Sequence, residues 1–96
     1  MAGSQYSFTA EVWEHSGQGS WHFVSLPEEI ADEIEERYAQ FGAVRVHVTI
    51  GASRWSTSLF PSKSRATYVL PVKKAVRSAE ELGAGSLPRI ELVVAL

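Results

Sequence analysis

Apolar and polar positions alternate along the first part of the chain in a way that is typical of β-strands. Over residues 6–15 the alternation is that of a strand with one buried face, and Trp13 falls among the polar positions. The glycine-containing segment 16–20 then supplies a turn, and Trp21–Ser25 is predicted as the second strand of a hairpin. We expect Trp13 and Trp21 to face each other across this hairpin.

The pattern then changes to the spacing of an amphipathic helix. Ser25, followed three places later by Glu28, has the form of a capping box, so Ser25 is predicted to cap the helix. Apolar residues recur at every fourth position up to about Ala39, and six acidic residues occupy the other face. Gly42 is well placed to end the helix, and strict alternation over Val44–Ile50 predicts the clearest strand of the chain.

The second half of the chain repeats this order of elements. Two strands, a helix and a last strand are predicted at residues 54–60, 67–70, about 72–82 and 90–96. In both halves a Leu-Pro pair opens the helix and a glycine ends it. We therefore expect two pseudo-repeats, about residues 6–50 and 54–96, that arose by duplication or share a pseudo-two-fold axis.

Six short strands and two helices predict a mainly β protein. They cannot form a doubly wound parallel sheet, and closing the strands into a small barrel removes exposed edges that invite aggregation. The predicted fold is thus a six-stranded β-barrel with two helices, built from two strand-strand-helix-strand repeats.

Composition restricts the setting of the protein. A chain of 96 residues, 45% hydrophobic and without cysteine, fits a single domain, 1–96, and excludes disulfides, thiol catalysis and cysteine-based zinc sites. Residues 1–5 lack the features of a secretory signal, and the longest apolar run near the C-terminus, residues 92–96, is far short of the ~20 residues that span a membrane. We expect a cytoplasmic protein without a membrane partner.

Charge is distributed unevenly along the chain, although the formal net charge is only -2. Six of the eleven acidic residues lie in the segment 28–36, whereas residues 37–79 hold eight of the nine basic residues and no acidic one. This segregation gives the second half a positive local field and favours an anionic partner. The alternative is that both charged helices are simply solvated faces.

The start of the predicted second helix is the best candidate site. Free backbone N–H groups attract anions there, and basic side chains share these turns. Arg54 and the hydroxyls of Ser56 and Ser58 alternate on the preceding strand, and Trp55 beside them could line a ligand site. The predicted anion site comprises Arg54, Trp55, Ser56, Ser58, Lys73, Lys74 and Arg77. The alternative is that these cations are solvated. Aromatic residues could also stack on bases, as in single-strand binding barrels, but we expect most of them in the core: Phe8, Trp13, Trp21, Phe23, Trp55 and Phe60.

Catalysis has little support in the sequence. Ser56 and Ser58 lack the Gly-x-Ser-x-Gly turn that exposes a hydrolase nucleophile. The histidines at positions 15, 22 and 47 fall on three different predicted strands and lack the spacing of a zinc site, although a cross-strand pair of His15 and His22 is conceivable. We expect no catalytic residues, metal or cofactor.

Several motifs between residues 49 and 85 occur together in one known pattern. They are a glycine turn, a Thr-Ser-Leu-x-Pro strand end and a Tyr-x-Leu-Pro-x-Lys-Lys-x-x-Arg helix start, at Gly51, Thr57 to Pro61 and Tyr68 to Arg77. With the hairpin segments FTAEVWEH and WHFVSLP, nearly the whole chain resembles a bacterial family of domains of unknown function. The chain departs from the family by having Ser86 where an aspartate often follows glycine, and Ala52 where a second glycine is frequent. If the aspartate only caps a turn, serine would serve.

The resemblance implies a double-split β-barrel, similar in topology to the swapped-hairpin barrels of DNA-binding transition-state regulators and antitoxins. It also implies relatives in which the domain is joined to a helical domain associated with bacteriocin protection. It implies no established activity.

Three functions remain open, and the sequence favours the first. It is a small binding or interaction module that engages an anionic small molecule or an acidic protein through Lys73, Lys74 and Arg77. The second is a nucleic-acid-binding regulator, which the topology of the resembling barrels supports and the net charge and acidic first helix oppose. The third is an enzyme with no recognisable catalytic set.

Overall fold

The protein is built around a curled antiparallel sheet of seven strands that forms a half-barrel. A computed structural model describes residues 5–15 and 21–95, so the turn predicted at residues 16–20 lies outside the described residues. Two α-helices and a short 3-10 helix, Ala39–Phe41, accompany the strands. The elements in chain order are β1 Gln5–Thr9, β2 Val12–His15, β3 Trp21–Ser25, α1 Glu28–Tyr38, β4 Val44–Ile50, β5 Ser53–Ser62, β6 Thr67–Pro71, α2 Lys74–Glu80 and β7 Arg89–Val94.

The spatial order of the strands is β1-β7-β4-β5-β6-β3-β2. The mainly β architecture with two α-helices is therefore confirmed, and the sheet has seven strands where six were predicted. The predicted strand at residues 6–15 is divided at Ala10 and Glu11, because β1 pairs with β7 whereas β2 pairs with β3. The long strand β5 also changes partners, from β4 over Ser53 to Leu59 to β6 over Phe60 to Ser62.

A single hydrophobic core fills one side of the sheet. Every second residue of β4 is buried, as the strict alternation predicted, and Leu59, Ile90 and Leu92 are fully buried on neighbouring strands. Burying one such side chain contributes about 1.5–3 kcal/mol. Helix α1 adds Ile34 and Tyr38 to the same core, so its predicted apolar stripe is the buried one.

The opposite face of α1 is acidic, and two of its carboxylates accept hydrogen bonds from tyrosines of the sheet. Tyr6 Oη donates to Glu33 Oε2 and Tyr68 Oη donates to Glu35 Oε1, both at 3.0 Å. Burial, together with the adjacent carboxylate, raises the pKa of each tyrosine to about 12. Arg37 also lies 3.4 Å from Glu33, one helical turn away.

Both helices begin differently from the prediction. Pro27, not Ser25, is the N-cap of α1, and no side chain caps the helix. Ser25 still belongs to β3, where its hydroxyl accepts a hydrogen bond from Trp13 Nε1 at 2.9 Å. Helix α2 has seven residues instead of the eleven of the predicted segment 72–82, because the backbone of Lys73 is extended and Glu81 adopts a left-handed conformation that ends the helix.

Candidate functional site

Ring-bearing side chains of β2 and β3 lie side by side on the outer face of the sheet. Val12, His22 and Val24 are buried, so alternation turns Trp13, Phe23 and Trp21 outward. Trp13 is the register partner of Phe23, and their ring centroids are 5.1 Å apart. Trp21 and Phe23 are nearly parallel, at 12° and 6.4 Å. The expectation that Trp13 faces Trp21 is wrong, because Trp21 pairs with His15 in this register.

Arg65 places a positive charge at one end of this row of rings. Its guanidinium carbon lies 3.5 Å from the centroid of the Trp13 ring, which is the geometry of a cation–π interaction. The indole N–H of Trp13 is at the same time held by Ser25. The tryptophan is thus fixed by Phe23, Ser25 and Arg65, and its orientation is set before any ligand arrives.

The apolar face continues across β6 to β5. Val69 and Pro71 of β6 line the same concavity as the rings, and Phe60 of β5 closes it. The concavity has a volume of about 650 Å³. Trp21 is 59% exposed and Phe60 is 46% exposed, which is unusual for side chains of this size. We call Trp13, Trp21, Phe23, Phe60 and Arg65 the aromatic surface.

A second concavity adjoins the aromatic surface and contains the cations of α2. It has a volume of about 290 Å³ and shares Trp21 and Pro71 with the first concavity. Lys73 and Lys74 are exposed at its rim, and Arg77 lies deeper, where its Nε donates to the carbonyl of Val72 at 3.1 Å. We call Lys73, Lys74 and Arg77 the basic group. No carboxylate side chain lines either concavity among the described residues.

The residues predicted on β5 lie elsewhere. Arg54, Trp55 and Ser56 line a separate concavity of about 500 Å³ beside His47 of β4. Ser56 Oγ and His47 Nδ1 are 2.8 Å apart, within hydrogen-bonding distance. Trp55 is half-buried and packs against the core. This concavity shares no residue with the one that contains the basic group.

Ser58 lines neither concavity; it is half-buried and pairs with Arg45 of β4. The structure therefore brings six of the seven predicted site residues into two groups rather than one, and Ser58 belongs to neither group. The polar link between α2 and β5 is made at Ser53, whose hydroxyl donates to Glu80 Oε2 at 2.7 Å.

The histidines do not assemble into a metal site. His15 and His47 are exposed, whereas His22 is buried on the face of β3 opposite to Trp21 and Phe23. Within residues 5–15 and 21–95, no group of three or more histidine, aspartate or glutamate residues could hold a metal ion. In the same part of the chain, no helix is long and apolar enough to cross a membrane.

Sequence reasoning missed most of the aromatic surface. It selected Trp55, which is half-buried, and assigned most other aromatic residues to the core. A signal was present, because Trp13 falls among the polar positions of its strand. For β3 the sequence was ambiguous, because alternation allows either face of the segment Trp-His-Phe-Val to be buried. Either Trp21 and Phe23 or His22 and Val24 could face the core. In the structure His22 and Val24 are the buried pair.

The departure at Ser86 has a structural explanation. Its hydroxyl accepts a hydrogen bond from the backbone N–H of Gly83 at 3.0 Å, so the serine caps the turn that precedes β7. This is the role in which a serine can replace an aspartate.

Comparison with known proteins agrees with the resemblance seen in the sequence motifs. None of the curated proteins matches the chain significantly. A family described as a domain of unknown function, DUF1905, matches residues 8–92, which include the whole aromatic surface and the basic group. The chain therefore belongs to the DUF1905 family of domains of unknown function.

Proposed function

We propose that this protein is a small binding module whose aromatic surface and basic group together engage an anionic ligand that carries rings. One observation carries the proposal: two adjoining concavities are lined by exposed aromatic side chains and by cations, and neither is lined by a carboxylate among the described residues. The site thus differs from the predicted one, since it keeps Lys73, Lys74 and Arg77 and replaces the β5 residues by the aromatic surface.

The apolar part of the site supplies binding free energy. An aromatic side chain buries about 150–250 Å² when fully covered. Trp21 and Phe60 are each about half exposed, so covering both would contribute about 4–6 kcal/mol at ~25 cal/mol per Å². Association of two molecules costs about 4–15 kcal/mol in lost freedom of motion. Stacking alone is therefore too weak, and a ligand needs additional contacts.

The cations supply these contacts and select the sign of the ligand. Arg65 lies at one end of the row of rings, and the basic group lies beyond Trp21 at the other end. Lys73 and Lys74 are exposed, so each contributes only modestly to affinity in water. Their main effect is to attract anions and repel cations during encounter.

We also propose the finer architecture and a setting for this module. Closure of the sheet into a double-split barrel is supported by the bonds from Val12 N to Ser86 O and from Gly85 N to Val12 O, which tie β2 to the segment before β7. The two residues between β1 and β2 support treating both as one bent strand of a six-stranded barrel. A cytoplasmic setting is compatible with a chain that has no cysteine.

The proposal is tested with anilinonaphthalene sulfonate, an anionic dye with aromatic rings whose fluorescence rises on apolar surfaces. We expect saturable binding to the folded protein, and weaker binding of the uncharged dye N-phenylnaphthylamine. Trp21→Ala should weaken dye binding by at least about tenfold, because the exposed half of a large ring is lost from the site. Lys74→Glu should weaken the binding of the anionic dye and leave that of the uncharged dye unchanged.

Two control variants make the test specific. Leu87→Ala truncates another exposed apolar side chain, 67% exposed, that lines neither concavity. Arg89→Glu reverses an exposed charge that lies outside both. Near-ultraviolet circular dichroism verifies that each variant keeps its native packing. If Trp21→Ala and Leu87→Ala bind the dye equally well, the aromatic surface is not the site.

A further inference from the structure

We propose that the ligand of the aromatic surface is a single-stranded nucleic acid, with bases stacked on the exposed rings and phosphates held by Arg65 and the basic group. This inference rests on the proposed function and names its ligand class. It is independent of the β5 residues Arg54, Ser56 and Ser58, which line or border a different part of the sheet.

The rings are arranged as a platform for flat groups. Trp21 and Phe23 are two places apart on one strand, and their rings are stacked almost parallel to each other. Unpaired bases stack on such side chains regardless of their identity, because every base has a π face. Trp21 offers the larger free surface, since 59% of the residue is exposed.

Phe60 provides a second position for a base. It lies on β5 beside Val69 of β6, and Val69 in turn lies opposite Ser25 of β3. Neighbouring strands are about 4.8 Å apart, so Phe60 lies roughly 10 Å from β3 across the sheet, level with Ser25. Phe23 lies two residues further along β3 from that point. Pro71 and Val69 form an apolar floor between the two positions.

The cations are placed at the ends of this platform rather than within it. The guanidinium of Arg65 lies on Trp13, and the basic group adjoins Trp21. A strand that stacks its bases on the rings would present its phosphates toward these ends. Exposed rings together with cations are the combination found in sequence-tolerant single-strand binding surfaces.

A duplex does not fit the same features. Its bases are already stacked inside the double helix, so the rings of the aromatic surface have no free base to contact. Duplex binding without free bases rests on phosphate contacts, of which a protein with steeply salt-dependent affinity makes about 6–10, whereas Arg65 and the basic group supply four cations. Glu28 and Asp32 also line the next concavity beyond Arg65 and would repel a broad polyanion.

An acidic peptide fits less well than a single strand. Its carboxylates would engage the basic group and Arg65, but they would leave the exposed rings of Trp21 and Phe60 without a stacking partner. The aromatic half of the surface distinguishes the two ligands.

The experiment is a fluorescence anisotropy titration at about 50 mM salt with labelled oligothymidylate of about twelve nucleotides, a length within the range of small barrel sites. The corresponding oligouridylate, a duplex of equal length and oligoglutamate are measured alongside. We expect both single strands to bind more tightly than the duplex and the acidic peptide. The ratio of the two affinities shows whether the protein prefers single-stranded DNA or single-stranded RNA.

Variants connect the binding to the proposed atoms. Trp21→Ala should weaken single-strand binding about tenfold, within the range of stacking energies per base. Lys74→Ala should make the salt dependence shallower by about 0.7 in logarithmic slope, as expected for the loss of one phosphate contact on a single strand. Leu87→Ala and Arg89→Ala are the matched controls and should leave both quantities unchanged.

The outcomes separate the inference from the function on which it rests. If the duplex or oligoglutamate binds as tightly as the single strands, or if Trp21→Ala has no effect on strand binding, the inference is wrong. If no oligonucleotide binds while the anionic dye still binds in a Trp21-dependent manner, the ligand class is wrong and the binding module stands. If dye and oligonucleotide both fail to bind, both proposals fall.

Discussion

At the scale of single residues, Gly51 is a position where both the backbone conformation and the neighbouring atoms favour glycine. It forms the turn between β4 and β5 with a φ of +58°, a conformation that side-chain-bearing residues rarely adopt. A Cβ atom at this position would also overlap the carboxylate of Glu80, which accepts a hydrogen bond from Ser53. The glycine of the sequence motif therefore lets the end of α2 approach the β4–β5 turn.

We expect Gly51→Ala to lower the free energy of unfolding by about 1–3 kcal/mol, the range for a left-handed non-glycine residue, with a further loss from displacing Glu80. The matched control is the same substitution made in a Glu80→Ala background, where the backbone strain at Gly51 is unchanged but the overlapping carboxylate is absent. Urea denaturation measures the loss in each of the two backgrounds. Equal losses would show that the contact with Glu80 does not contribute.

The sequence predicts a turn at Gly51 but not its backbone conformation. Its contact with Glu80 could not be predicted either, because the two residues are far apart in the chain and meet only after α2 has packed beside β5. The same holds for Ser25. Its spacing from Glu28 is that of a helix cap, but the hydroxyl is held by Trp13 of the neighbouring strand.

At the scale of elements, α1 is anchored to the sheet by a buried stripe and by the two tyrosine–glutamate hydrogen bonds. The apolar spacing of the helix predicted the stripe correctly. The hydrogen bonds depend on which strands lie under the helix, so no local pattern contains them. The end of α2 shows a similar limit, since the helix stops at Glu81 before it reaches the expected Gly83.

The tyrosines make the stability of the protein sensitive to alkaline pH. Their pKa values are raised to about 12 in the folded protein from 10.0, so the unfolded chain loses these protons first as the pH rises. The stabilisation is fully present below about pH 10 and is lost between about pH 10 and 12. We expect the free energy of unfolding to fall across this interval, measured by urea denaturation at a series of pH values.

Tyr68→Phe provides the control for this pH dependence. It removes one titrating group and one hydrogen bond to a carboxylate, at a cost of about 0.5–1.5 kcal/mol near neutral pH. The decline above pH 10 should then be shallower than in the unmodified protein. An identical decline would assign the alkaline sensitivity to other groups.

At the scale of the whole molecule, the strand pairing maps onto itself when the two halves are exchanged. The pair β1–β7 corresponds to β5–β4, the pair β2–β3 corresponds to β5–β6, and β4–β7 and β3–β6 each join equivalent strands. This pattern supports the predicted duplication, which remains a prediction. The surfaces do not follow it, because α1 carries the acidic residues and α2 carries the basic group.

This difference between strand pairing and surface chemistry shows which features could be predicted from the sequence. Alternation and glycine positions predicted the mainly β fold and both helices. The basic group was also found, because charge is visible along the chain. The aromatic surface depends on the register of β2 with β3 and on the pairing of β6 with β3 and of β5 with β6. These segments are distant in the sequence, so no local pattern predicts the surface.

The pairing of β1 with β7 determines where the two ends of the described chain lie. Gln5 lies opposite Val93, so the two ends of the described chain are neighbours across one strand spacing. A circular permutant that joins these ends through a short glycine linker and opens the backbone between Gly42 and Ala43, both exposed, should keep every strand pair. We expect it to unfold cooperatively in urea and to bind the anionic dye, whereas a permutant that fails to fold would mean that the order of the segments matters as much as their pairing. Because its two ends lie close together, such a domain can be inserted into a surface loop of a host protein through two adjacent connections.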